Sequence, residues 1–200
     1  MQKKWIVLGA VALVIAIVGG SCVSKYNKLD GLDQKVKSQW AQVENAYERR
    51  ADLIPNLVET VKGAAGFEKE TYIAVTEARS RAVQVTANAG DPTTSPEKLK
   101  ELQAAQDNLT AQLSKLMVTV ENYPDLKATQ NFRDLQAQLE GTENRITVER
   151  QRFNEAAQEF NTTRNSFPMN IFAGFFGSKF QEKAYFTARA GAEEVPKVKF

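Results

Sequence analysis

LDGLDQKVKSQWAQVENAYERRADLI, residues 29–54, carries its apolar side chains at Leu29, Leu32, Val36, Trp40, Val43, Tyr47, Ala51 and Ile54. Steps of three and four with polar residues between them predict an amphipathic helix that buries one face. Strand alternation is sustained nowhere in the chain. Three more stretches repeat the helical pattern. The second runs Leu57, Val61, Ala64, Tyr72, Val75, Ala78, Ala82 and Val85, interrupted where Glu68 takes a seam position. The third is Leu99, Leu102, Leu109, Leu113, Leu116 and Val120. The fourth is Phe132, Leu135, Leu139, Ile146, Phe153, Ala156, Phe160 and Phe167.

The punctuation between these stripes is sparse. Ser95-Pro96-Glu97 is a helix start, with serine as N-cap, proline in the first turn and an acid beside it. Asn88 to Pro92 forms a stop and a loop, and Asn122-Tyr123-Pro124-Asp125 a second break. With Asp52 as N-cap, Pro55 falls in a first turn, where its missing N–H costs nothing. Arg50-Ala51-Asp52 is therefore expected to be a tight reversal. Short connections make neighbouring helices antiparallel, so the expected fold is all-α: an up-down four-helix bundle over residues 25–167.

Working outward to the N-terminus, residues 5–23 (WIVLGAVALVIAIVGGSCV) contain no charge, with Lys3 and Lys4 before them and Lys25 after. As a helix they reach about 28 Å, close to the roughly 30 Å hydrocarbon core of a bilayer. Residues 1–24 are read as a signal anchor, with a cytoplasmic N-terminus and an extracytoplasmic bundle. Cys22, after Gly19-Gly20-Ser21, leaves a second anchoring mode open: cleavage and lipidation in the manner of a bacterial lipoprotein. Ala12, Ala16, Gly20 and Ser24 recur every four residues, a small-residue stripe that permits close packing of two membrane helices.

The C-terminal tail, 168–200, begins where an up-down bundle returns to the membrane side. Phe172, Phe175 and Phe176 lie among lysines there. Two expectations stand side by side. The tail forms an interfacial or subunit-contacting segment, or its phenylalanines fold back and plug the open end of the bundle.

Composition narrows the chemistry. Over 200 residues, 26 Lys and Arg face 24 Asp and Glu, and Lys3 and Lys4 account for the excess of two. No basic face for nucleic acid is evident. The absence of histidine removes imidazole zinc sites, Ser-His-Asp machinery and the Glu-x-x-His pairs of di-iron bundles. A single cysteine excludes an internal disulfide and a CxxC pair, and no phosphate-loop string occurs. No enzyme activity, metal or cofactor is expected.

Trp40 to Tyr47 (WAQVENAY), followed by Arg49-Arg50-Ala51-Asp52-Leu53-Ile54-Pro55-Asn56-Leu57, resembles the N-terminal signature of the LemA family. Val61-Lys62-Gly63, Glu68-Lys69-Glu70 and Val75 to Arg79 continue the resemblance. So do Leu139 to Ile146 (LEGTENRI), Arg150, Phe153-Asn154-Glu155, Phe160-Asn161 and Phe167-Pro168. The resemblance implies a bacterial membrane-anchored protein with an extracytoplasmic antiparallel bundle, and it carries over no catalytic residue or ligand. Helices one and four would be neighbours, which brings Glu44, Asn45, Arg49 and Arg50 toward Glu140, Glu143, Asn144 and Arg145. Charges near a seam must pair, so these residues are expected to form a register-fixing polar network. Gly141, costly inside a helix, is expected to mark a close helix approach or a kink. The expected task is that of a self-associating scaffold in contact with membrane lipid. The alternative is an adaptor presenting its bundle to a membrane protease or another envelope protein.

Overall fold

The computed structural model describes residues 2–64 and 66–187, with many side chains between 2 and 18 outside the described set. Within these residues the chain is all-α. The elements are α1 (Gln2–Lys62), α2 (Lys69–Asn88), α3 (Pro96–Val120), α4 (Pro124–Ala128), α5 (Gln130–Asn165) and α6 (Met169–Phe175). Short 3-10 turns at Pro92–Thr94 and Gly177–Phe180 separate α2 from α3 and follow α6. Ser95 caps α3 as its sequence predicts, its hydroxyl accepting from the Lys98 backbone N–H at 3.4 Å.

The expected reversal at Arg50-Ala51-Asp52 does not occur. α1 passes straight through Pro55 to Lys62, so Leu57 and Val61 belong to the first helix and not to the second. Pro55 has no N–H to give the Ala51 carbonyl, and the Arg79 Nε of α2 donates to that oxygen instead, at 2.6 Å. Ile54, Leu57, Val58 and Val61 carry the buried stripe onward, and that burial outweighs the single lost helical bond. The reversal falls later, around Gly66 at φ 77, a left-handed conformation that suits glycine. Glu68 consequently sits at the N-cap position of α2 and is exposed, not on a seam.

α1 and α5 run antiparallel along their shared length. Lys35 meets Glu159, Trp40 stacks edge-on against Phe153, Tyr47 meets Arg150, and Arg50 meets Glu143. α2 packs on α3 and on α1. The buried side chains divide into two apolar cores. One gathers Leu29, Val36, Trp40, Val43, Ile146, Phe153 and Phe160 with residues of the tail. The other gathers Ile54, Leu57, Val61, Val75, Leu109, Leu116, Phe132 and Leu139. The fourth stripe ends at Phe160: Phe167, expected on it, lies beyond the end of α5 and is 81% exposed. Gly141 is also exposed within α5, with nothing within 4 Å of where a Cβ would stand, so it marks no close helix approach.

Among the described residues no helix is long and apolar enough to cross a membrane. The span expected over residues 5–23 falls on a stretch whose backbone is helical but many of whose side chains lie outside the described residues. The last part of the expected tail, 188–200, lies outside them as well.

Candidate functional site

Arg50 stands between the two cores, 1% exposed. Its Nη1 donates to Glu143 Oε2 at 2.6 Å and to Thr110 Oγ1 at 2.9 Å. Its Nη2 donates to the Gln106 side-chain oxygen and, at 3.5 Å, to the Gln106 carbonyl. Gln106 Nε2 then donates to Thr86 Oγ1 at 3.3 Å. One guanidinium on α1 thereby ties α3 and α5 directly, and α2 through an amide. Burial pulls the Arg50 guanidinium below its ordinary value, while Glu143 pushes back toward the charged form. One turn away along α1, the Tyr47 hydroxyl accepts from Arg150 Nε at 2.8 Å. Burial raises the Tyr47 phenol above its usual range, opposed by Arg150. Arg150 also reaches Asp107 at 3.5 Å and lies 4.9 Å from the centre of the Phe186 ring.

Of the eight residues expected in this network, the structure brings two together across helices, Arg50 and Glu143. Glu44 is half-buried, and burial raises its carboxyl above the ordinary value. Asn45, Arg49 and Asn144 are exposed. Glu140 accepts from Gln136 one turn earlier on α5, and Arg145 lies 3.7 Å from Glu149 on that helix. Sequence reasoning missed Gln106 and Thr110 on α3. Their signal is two polar residues at helical spacing between the apolar positions Leu102, Leu109 and Leu113. A recess of about 300 Å³ opens beside the pair, lined by Arg50, Thr110, Leu113, Met117, Leu139 and Glu143. Glu140 and Ser114 line it as well, and its cation, Arg50, is held by Glu143 and Thr110.

A second buried pair was not foreseen. Asp33 on α1 and Lys183 in the tail lie 2.5 Å apart, each side chain 2% exposed. Lys37, one turn along α1, adds a contact to Asp33 at 2.7 Å. Burial works to raise the Asp33 carboxyl, but hydrogen bonds from Lys183 and Lys37 overcome it and hold the group below its ordinary value. The backbone around Lys183 is extended, and side-chain amides clamp it. Asn161 accepts from the Lys183 N–H and donates to its carbonyl, both at 2.8 Å. Asn154 makes the same reciprocal pair with Phe186, both at 2.9 Å. Gln103 does so with Thr187, at 2.8 and 3.3 Å. Each amide satisfies one backbone donor and one acceptor, which is how an extended segment is buried without a neighbouring strand. Asn154 and Asn161, quoted above only as parts of a signature, hold the tail.

The tail's aromatics divide between the two expectations. Phe180 and Phe186 are buried in the core beside Trp40 and Phe160. Phe172 is half-buried under Lys25, while Phe175 is 85% exposed and Phe176 also faces outward. Ala12, Ala16 and Gly20 are exposed along α1, and Cys22 is a half-buried free thiol. Among the described residues no group of three or more His, Cys, Asp and Glu side chains is placed to hold a metal ion.

These features define a helical protein whose polar side chains join helices and clamp a tail. The LemA family profile matches residues 39–200, and the chain belongs to the LemA family. Two MamQ magnetosome proteins of Paramagnetospirillum magneticum are 26% identical to it over 195 residues, covering 87% of this chain and 71% of theirs. Protein LemA of Metamycoplasma hominis is 24% identical over 161 residues, covering 80% of this chain and 69% of its own.

Proposed function

We propose that this chain is a non-enzymatic, membrane-anchored scaffold of the bacterial envelope, an antiparallel up-down four-helix bundle that associates with further copies of itself. The observation that carries the reading is the continuity of α1. Gln2 to Lys62 is one helix, so the uncharged stretch 5–23 and the first bundle helix form a single rod. A bundle joined to its anchor without a linker holds a defined height and orientation on the membrane, which suits assembly more than free reach. Membership of the LemA family and likeness to magnetosome proteins support membrane association. The small-residue face Ala12, Ala16 and Gly20 is the surface through which anchors would pack, and Cys22 stands at the membrane boundary, where a lipid would attach in the alternative anchoring mode. The bundle is assigned to the extracytoplasmic side, with the short basic N-terminus inside.

Native mass spectrometry of the full-length chain extracted in detergent tests this. A defined homo-oligomer supports the scaffold. A monomer co-purifying with one other envelope membrane protein overturns it in favour of an adaptor.

A further inference from the structure

The inward face of α6, Met169 and Ala173, is buried in the first core, but its outward face carries Ile171 and Phe175 exposed, with Phe167 exposed just before it. These side chains are not spare core. The core place at that end of the bundle is already filled by Phe180, which meets Tyr26, while Phe186 packs farther along α1 on Trp40. The position of the patch along α1 is set by five contacts. Lys25 Nζ lies 5.6 Å from the centre of the Phe172 ring, and Tyr26 meets Phe176 and Phe180 edge-on at 5.0 and 5.5 Å. Lys179 bonds the Tyr26 hydroxyl and pairs with Asp30 at 2.9 Å. Tyr26 follows Val23, the last residue of the uncharged stretch, by about 5 Å along the helix axis. The exposed aromatics are thus pinned at the height where the chain would leave the hydrocarbon, among Lys25, Lys28 and Lys179. Phenylalanine and isoleucine directed outward with lysines at the rim are the composition of an interfacial contact.

We propose that Phe167, Ile171 and Phe175 form a second bilayer contact, a foot that inserts at the boundary between headgroups and acyl chains beside the exit of α1. The proposal rests on the reading of residues 5–23 as the membrane anchor. A helix held at one point can tilt, and a second contact on the base of the bundle fixes its orientation over the membrane. Phe180, in the same apolar core as Met169 and Ala173, and Lys183, paired with Asp33, lie in the segment that follows α6.

The test uses the full chain carrying Cys22→Ser, reconstituted into vesicles of phosphatidylcholine and phosphatidylglycerol, with a nitroxide attached through Phe175→Cys. A second sample carries the label through Asp125→Cys, exposed on α4 at the opposite end of the bundle. Collisional accessibility to oxygen and to a water-soluble nickel chelate reports the depth of each label. Position 175 is expected to favour oxygen and position 125 the chelate. If the chain floats with the vesicles and position 175 is as open to the chelate as position 125, the foot is overturned and the anchor stands. Shielding of position 175 from both reagents, in detergent as well as in vesicles, means that a second copy covers the patch and overturns the foot. Failure of the chain to float with the vesicles removes the anchor, and the foot with it.

Discussion

Arg79 Nε lies 2.6 Å from the carbonyl oxygen of Ala51, the oxygen that Pro55 leaves without its helical partner. A residue of α2 repairs a defect in α1, and the repair joins the two helices. Replacing Arg79 by Leu should strand a part-buried carbonyl and cost about 1–3 kcal/mol. In a Pro55→Ala background the helix recovers its own donor, and the same substitution should cost much less. Urea midpoints of the four chains form the cycle. An equal penalty in both backgrounds means that Arg79 stabilises by packing alone.

The Arg50–Glu143 pair should show the asymmetry of buried charge. Glu143→Ala leaves the guanidinium buried beside Thr110 and Gln106 and should cost about 3 kcal/mol. Combining Arg50→Met with Glu143→Leu removes the stranded charge, and most of the loss should return. Denaturant unfolding of the two variants measures this. A double variant no better than Glu143→Ala would mean that Arg50 acts through its other hydrogen bonds.

The Asp33–Lys183 pair predicts acid sensitivity of the tail. The folded Asp33 carboxyl lies below its ordinary value, near 3.9 in an unfolded chain, so the unfolded state binds the proton more readily. The stabilisation is therefore full above about pH 5 and is lost as pH falls through the folded value. Hydrogen exchange at the 183–187 amides, measured from neutral pH down to about pH 3 and corrected for intrinsic rates, should show loosening in the native chain. Asp33→Asn should be loosened already at neutral pH and change little on acidification. Parallel pH profiles for the two chains would exclude this pair as the cause.

Glycines at two positions should respond in opposite directions. Gly141 is exposed within α5 and open on every side, so Gly141→Ala should raise stability by about 0.5–1 kcal/mol. Gly90 ends α2 at φ 62, and Gly90→Ala should lower stability by about 1 kcal/mol. Thermal unfolding of both variants suffices, and a loss on Gly141→Ala would indicate a partner for that face of α5.

The helical stripes were legible because amphipathic periodicity is local: Leu29 to Ile54, Leu99 to Val120 and Phe132 to Phe160 need only their own spacing to be read. The Ser95 cap and the break at Pro124 were legible for the same reason. Pro55 was misread because the local rule for proline favours a helix start, and the group that makes an interior proline tolerable, Arg79, lies on another helix. The network residues were half legible. A sequence marks Glu44, Asn45, Arg49 and Arg50 as polar, but which of them turns inward depends on the rotation of α1 against α5.

What the sequence determined by itself, then, is the helical class, the positions of most stripes and the uncharged stretch 5–23. Tertiary structure alone decided that Arg50 is the residue buried between two cores, that Asp33 finds Lys183, and that Asn154, Asn161 and Gln103 seat the tail. It also divided the aromatics, turning Phe180 and Phe186 inward and Phe175 outward. The reason is physical. Periodicity and caps are set by neighbours along the chain, whereas a buried charge or amide takes its meaning from groups distant in sequence, which meet only when the helices close around them.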